Sequence, residues 1–287
     1  MMCVLRRDLS GEPSATRRSP WPATARFHAD GGASVGGVPL AELARRFGTP
    51  AYVVDEADSR VVVDNLGEIA RLASMVPFGH RQKVLLRVVP SVEAGEHEAI
   101  RTGGEDRQFG LSIASGDAAA AVIRVLRQPE LELVGLHCHI GSQIRMAGPY
   151  EQAARVMVDD LAWIRETAGV ELPELNLGGG HGIAYLETDD ALDPLTLATA
   201  ITGAVKERCA ELGLAVPRLA VEPGRAISGP AGLTLYRVIS VKHHANGTFV
   251  AVDGGMADNP RPALYGARYT LALVGHPASA LPRPVGL

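Results

Sequence analysis

Lysine is nearly missing from this chain. Of its 28 basic residues only Lys83, Lys206 and Lys242 are lysines, so chemistry that needs a side-chain amine has three candidates. Cysteine is as scarce. Cys3, Cys138 and Cys209 lie far apart and form no metal-ligand spacing, and they read as reduced cytosolic thiols. No run approaches the roughly 20 apolar residues that a bilayer-spanning helix requires. The early arginines (Arg6, Arg7, Arg17, Arg18) have no apolar stretch behind them, which argues against a secretory leader. Charge of one sign is not in excess either: the formal net charge is −4, spread along the chain, with no footprint for nucleic acid or an anionic membrane. What remains is a globular composition, 46% hydrophobic and 21% charged over 287 residues, enough for one α/β barrel or two smaller domains. The expectation is a soluble, cytoplasmic protein without a metal.

Residues 1–30 have no periodicity and read as a loose leader. The spacing predicts a helix over 38–47, closed by Gly48, and a short strand over 51–55. From Val61 onward strands and helices alternate. Strands are expected over 61–64, 84–89, 131–140, 175–177 and 219–221, with helices over 66–76, 114–126, 149–167 and 195–212. Alternation at this spacing predicts parallel βαβ units, and the continuously apolar strands predict a sheet covered by helices. After Gly232 the strands over 235–242 and 248–253 have no helix between them, and 281–287 reads as an unfinished tail. The expected organisation is a leader and β-domain segment over 1–55, a partial (β/α) barrel over 56–232 and a truncated β-rich domain over 233–287. The fold class is α/β.

Polar residues gather where these strands end. His137, His139, Gly141 and Ser142 follow one strand; Gly178, Gly179, Gly180 and Gly182 follow the next; Glu222, Gly224 and Arg225 follow the last. Barrels and open α/β sheets place their sites at this edge, because loops converge there and helix N-termini point inward. Taken singly, each has a plain explanation: GGGHG as a tight turn, a histidine as a hydrogen-bonded core residue, EPGR as a turn with a surface ion pair. Together they describe one ligand. Glycine N–H groups, Ser142 and Arg225 suit a phosphate, His139 suits the face of an aromatic ring, and Glu222 suits a pyridine nitrogen kept protonated. That is pyridoxal 5'-phosphate chemistry.

The motifs "GLHCHIGSQI" (135–144), "LNLGGGHGIAY" (175–185), "VEPGRAISGPAGLTLYRV" (221–238) and "VDGGMADNPRPALYGA" (252–267) resemble the diaminopimelate decarboxylases of the alanine-racemase-like fold, actinobacterial type. "FGTPAYVVDEADSR" (47–60) and "EDRQFGLSIA" (105–114) are similar to segments of the same family. The resemblance implies that His139 stacks on the cofactor ring, that Ser142 and Gly178 to Gly180 hold its phosphate, and that Glu222 faces its ring nitrogen. It implies Arg225, next to Gly224, at the phosphate and the substrate carboxylate, with Arg261 and Tyr265 at the distal end of an amino-acid substrate. Family members decarboxylate meso-diaminopimelate to L-lysine, and a homodimer is expected by the same resemblance.

Three departures stand out. His181 replaces the leucine usual in the glycine motif, and no "CESGD"-like segment occurs before Leu287. The third concerns the catalyst: the family carries its cofactor on a lysine of an "AxKA"-type motif, two further βα units before the "VVVD" strand. Here Arg60 runs directly into Val61. At about 30 residues per unit, three missing units amount to roughly 90–110 residues. No lysine of this chain follows a barrel strand, so no catalytic residue is expected. Three readings stay open: a relative of the decarboxylase, active or impaired; a non-catalytic partner of a full-length decarboxylase; and a carrier that binds the cofactor.

Overall fold

The computed structural model describes residues 25–48, 60–92, 94, 108–245, 247–272 and 274. The strand expected over 51–55 and the tail over 281–287 lie outside the described residues, as does most of the expected leader. By internal contacts the chain forms two compact units, Met1–Arg60 and Val61–Leu287.

In the first unit β1 (Arg26–Phe27), β2 (Ala33–Val35) and β3 (Val38–Pro39) form an antiparallel sheet, followed by α1 (Leu40–Phe47). Gly36 and Gly37 both have positive φ, 60° and 78°, the backbone of a tight two-residue hairpin whose twist matches its strands. The helix expected from residue 38 starts at Leu40, because Val38 and Pro39 pair back onto β2.

The second unit carries the alternation read from the sequence. Its elements are β4 (Val61–Val63), α2 (Leu66–Met75), β5 (Gln82–Val89), β6 (Leu111–Ser112), α3 (Asp117–Leu126), β7 (Leu131–His137), α4 (Gly148–Ala168), β8 (Glu174–Asn176), α5 (Pro194–Leu212) and β9 (Arg218–Ala220). Asn65 caps α2 by accepting from the Gly67 and Glu68 N–H groups, and Asp193 caps α5 by accepting from Thr196. The strands are all parallel, in the order β4-β5-β7-β8-β9, with the two-residue β6 beside β5. Spatial order equals chain order, so each βα unit steps in the same direction. A doubly wound sheet would reverse; a barrel winds this way. The five strands expected from the sequence are these five, and β6 is an addition.

Helices α2 to α5 bury the sheet. Leu86, Leu136 and Leu175 are fully buried on neighbouring strands, against Tyr150, Ala154, Met157 and Val158 of α4 and Leu197, Ile201 and Val205 of α5. After β9 come α6 (Gly224–Ser228), a hairpin of β10 (Val238–His244) and β11 (Gly247–Val252), and α7 (Arg261–Tyr265). Apolar residues of the hairpin stay exposed, Ile239 at 66% and Phe249 at 67%. No helix among the described residues is long and apolar enough to cross a membrane.

The register slips once between β5 and β7, so that Val134 has no counterpart and Gly135 stands opposite Glu174 of β8. A Cβ at Gly135 would lie 2.2 Å from the Glu174 carbonyl oxygen, in mid-sheet. Gly203, inside α5, meets nothing within 4 Å. Gly135→Ala should therefore lower the unfolding free energy by about 1–3 kcal/mol through overpacking. Gly203→Ala should raise it by about 1 kcal/mol through helix propensity. Urea denaturation of the two variants checks the opposite signs.

Candidate functional site

Three loops leave the C-terminal ends of β7, β8 and β9 and interlock beyond the sheet. Cys138 N–H donates to the Asn176 carbonyl at 2.9 Å, Leu177 N–H to Ala220 at 3.0 Å, and Glu222 N–H to Gly178 at 2.8 Å. Further out, Ile144 N–H donates to Gly180 at 3.0 Å and Gly182 N–H to Ile144 at 2.9 Å. Such spacing is open only to glycine. A Cβ on Gly178 would sit 2.3 Å from the Cys138 carbonyl oxygen, one on Gly179 2.3 Å from that of Glu222, and one on Gly180 1.9 Å from that of Gly141. Gly178 and Gly180 also have φ of 68° and 87°, in the left-handed region.

The interlock brings together His139, Ser142, the glycine tract, Glu222 and Arg225. Gly179 N–H donates to His139 Nδ1 at 3.2 Å. One Arg225 nitrogen donates to Ser142 Oγ at 3.0 Å and another to the Tyr185 hydroxyl. Glu222 Oε1 accepts from Asn176 Nδ2 at 3.0 Å and lies 3.3 Å from His137 Nε2. Arg225 has no carboxylate within ion-pair distance among the described residues. Arg261 reaches the cluster through Tyr185: its guanidinium lies 4.7 Å from the centre of that ring and donates to the Tyr269 hydroxyl at 2.9 Å. Tyr265 ends the same short helix, α7. The three lysines are elsewhere. Lys83 is in the first half of β5, level with Glu132; Lys206 lies within α5 and Lys242 within β10.

Burial, more than charge, sets the protonation here. Burial lowers His139 below the usual imidazole value, with the Arg87 guanidinium adding to it against the pull of Glu222. Its Nδ1 accepts a hydrogen bond, so the neutral ring carries its proton on Nε2. His137 is lowered by burial to about 4 despite the Glu222 carboxylate, and the thiol of Cys138 is pushed up to about 12. Sequence reasoning missed several members of this cluster. Asn176 is hidden in a strand, and His137, although it shares a motif with His139, had no assigned role. Arg87 pairs with Asp64 at 3.2 Å and stands over the Phe109 ring. A charged residue inside the apolar run VLLRVV was the available signal for Arg87. Tyr185 had none beyond its motif.

Fold and edge together define an α/β domain whose strand ends hold a neutral imidazole, a carboxylate and a guanidinium bound to two hydroxyls. Comparison with known proteins narrows that class. Residues 44–229 match the model of the pyridoxal-dependent decarboxylases, pyridoxal binding domain, and the chain belongs to that family. Family membership implies pyridoxal phosphate as the cofactor. Diaminopimelate decarboxylase of Actinosynnema pretiosum subsp. auranticum is 49% identical over 215 residues, covering 75% of this chain and 48% of that protein. Diaminopimelate decarboxylase of Corynebacterium efficiens is 34% identical over 342 residues, covering 88% of this chain and 74% of its own. The crystal structure of diaminopimelate decarboxylase from Helicobacter pylori complexed with L-lysine matches with a TM-score of 0.63 at 28% identity, over 73% of this chain and 50% of that one. The chain spans about half the length of most of the curated relatives it matches. At the level of the family and the fold class, the resemblance read from the motifs is borne out.

The histidines give the fold a pH dependence of definite sign. An unfolded imidazole takes up its proton near 6.5, whereas folded His137 does so only near 4. Between those values the unfolded chain binds more protons, so stability present above 6.5 drains away as the pH falls toward 4. One such group costs up to about 1.4 kcal/mol per pH unit. His139 and His181, both lowered first by burial, act in the same direction. The urea midpoint should fall across this window, and His137→Gln should flatten the His137 share; a midpoint independent of pH would contradict the burial.

Proposed function

We propose that this chain presents the cofactor-binding edge of a diaminopimelate decarboxylase and binds pyridoxal phosphate reversibly, without sustained turnover. The observation that carries this reading is the joining of Ser142 and Arg225, with Glu222 and His139 beside them, while the chain's three lysines stand on β5, α5 and β10.

The residues fit the cofactor by the chemistry of their donors. Among the described residues Arg225 has only neutral partners, Ser142 Oγ and the Tyr185 hydroxyl, so its charge is available to a phosphate. Of the three glycine N–H groups, those of Gly178 and Gly179 donate to Asn176 and His139, while that of Gly180 donates to no described residue and joins Ser142 at the phosphate. Gly224 keeps its surroundings clear, since a Cβ there would meet nothing within 4 Å. His139, neutral and flat, takes the ring face, and Glu222 takes the ring nitrogen. Arg225, Arg261 and Tyr265 take the carboxylates of a diamino-dicarboxylic acid. When bound, pyridoxal phosphate supplies the electron sink for the charge left by a departing carboxylate. The groups that would carry the cofactor covalently and shuttle protons require an amine within reach, and Lys83, Lys206 and Lys242 stand on other parts of the fold.

The alignment with the Corynebacterium relative supports the missing-segment reading, because at 342 residues it is longer than this 287-residue chain. The three-domain division expected from the sequence, a cytoplasmic location and a homodimer belong to the same proposal. The exposed Ile239 and Phe249 of the β10–β11 hairpin favour an interface.

The test uses the purified chain with pyridoxal phosphate and meso-diaminopimelate. Saturable binding by cofactor absorbance is expected, reversed by dialysis and weakened about tenfold or more in Arg225→Gln. After borohydride no pyridoxyl-lysine peptide should appear, and no lysine should form. Turnover together with a labelled Lys83, Lys206 or Lys242 would overturn the catalytic part; absence of cofactor binding would overturn the whole.

A further inference from the structure

Glu222 is held from one side. Its Oε1 accepts from Asn176 Nδ2 at 3.0 Å and faces His137 Nε2 at 3.3 Å, while Oε2 has no hydrogen-bond partner among the described residues. The two partners stand at the ends of β7 and β8, so the sheet itself fixes their spacing. Exposure divides the pair: the Glu222 side chain is 50% exposed and that of His137 only 7%. His137 Nδ1 is fully buried and has no hydrogen-bond partner among the described residues.

That orphan nitrogen assigns the tautomer. A proton on Nδ1 would bury an unmatched donor and turn the Nε2 lone pair toward a carboxylate oxygen, two unfavourable arrangements at once. With the proton on Nε2, the imidazole donates to Glu222 Oε1, and Nδ1 is merely an unused acceptor. An imidazolium is opposed by burial and by the neighbouring Arg87 and His139, against the attraction of Glu222.

We propose that His137, as a neutral imidazole protonated on Nε2, is a positioning residue for Glu222: with Asn176 it pins Oε1 and leaves Oε2 to accept from the protonated ring nitrogen of a pyridine-type cofactor. This rests on the reading that Glu222 serves such a nitrogen. His137 touches neither cofactor nor substrate and acts through the carboxylate. Removing it lets the Glu222 side chain, half in solvent, leave the orientation that the ring nitrogen needs. The loss is specific to ligands carrying that nitrogen.

Two measurements test this. In the chain without cofactor, long-range proton–nitrogen correlation spectra at pH 7 should show His137 as the Nε2–H tautomer, and Glu222→Leu should shift it toward a mixture. An Nδ1–H tautomer or an imidazolium in the wild type overturns the proposal, whether or not the chain binds a cofactor. In the second arm, His137→Leu is titrated with pyridoxal phosphate and with its analogue in which carbon replaces the ring nitrogen. Affinity for pyridoxal phosphate should fall about tenfold, that for the analogue should hold, and His137→Gln, whose amide can donate, should recover most of the loss. Equal weakening toward both ligands marks a purely structural role and overturns the proposal. If the wild type binds neither ligand, the function proposed above fails, and the tautomer alone decides the role of His137.

Discussion

The close approach of three backbones at Gly178, Gly179 and Gly180 is the constraint on which the site depends. Each of these residues lies where a side chain would collide with a carbonyl oxygen of Cys138, Glu222 or Gly141. Because those carbonyls belong to the loops after β7 and β9, the tract serves first as a spacer between loops. Its N–H groups are mostly spent in the same way, on Asn176 and His139. A glycine tract after a strand is commonly read as a cradle for an anion. Here the glycines mainly let the loops meet, and among the three N–H groups only that of Gly180 donates to no described residue. Backbone packing thus sets where Glu222 and His139 stand, and the side chains of Asn176 and His137 then flank the Glu222 carboxylate.

Once the loops are closed, burial sorts the charges. His137, His139 and His181 are all held below their ordinary values by desolvation, so the centre of the cluster is neutral near pH 7. The permanent charges lie around it: Arg87 with Asp64, Glu222 with its two donors, and Arg225 without a counter-ion. A guanidinium satisfied only by hydroxyls retains its long-range attraction for an anion, whereas one paired to a carboxylate largely loses it. Arg225 and Arg261 share the Tyr185 ring as a neutral support, at 6.0 Å and 4.7 Å from its centre. That arrangement keeps two cations near one another without a protein anion between them.

Strand–helix alternation was legible because its signals are local. Apolar runs at β4, β5, β7 and β9 and the glycine after α1 each act over a few residues. So was the gathering of polar residues after strands, and the fold does bring His139, Ser142, Glu222 and Arg225 together. What escaped is non-local or too short. β6 is two residues long and exists only by pairing with β5. The first turn expected of α1 went to a hairpin that Gly36 and Gly37 permit. Asn176 looked like a polar residue in a strand, and its part emerges only when Glu222, 46 residues on, lies beside it. Tyr185 joins Arg225 across 40 residues, a link no spacing rule encodes.

The scarcity of lysine acquires its meaning from this geometry. A chain with many lysines would leave open which of them approaches a cofactor, but here the count is three and each has a fixed place. Lys83 is four residues ahead of Arg87 on the same strand, and only Arg87 is near the histidines. At about 3.3 Å per strand residue the two Cα atoms are roughly 13 Å apart. A lysine side chain extends about half that distance, and Lys83 would have to run parallel to its own strand through packed side chains. Lys206 is exposed on α5 and Lys242 is exposed on β10, a strand of the separate two-stranded sheet. The two features therefore lie apart in the described fold: the loops that interlock through glycine gather after β7, β8 and β9, and the three lysines stand on β5, α5 and β10.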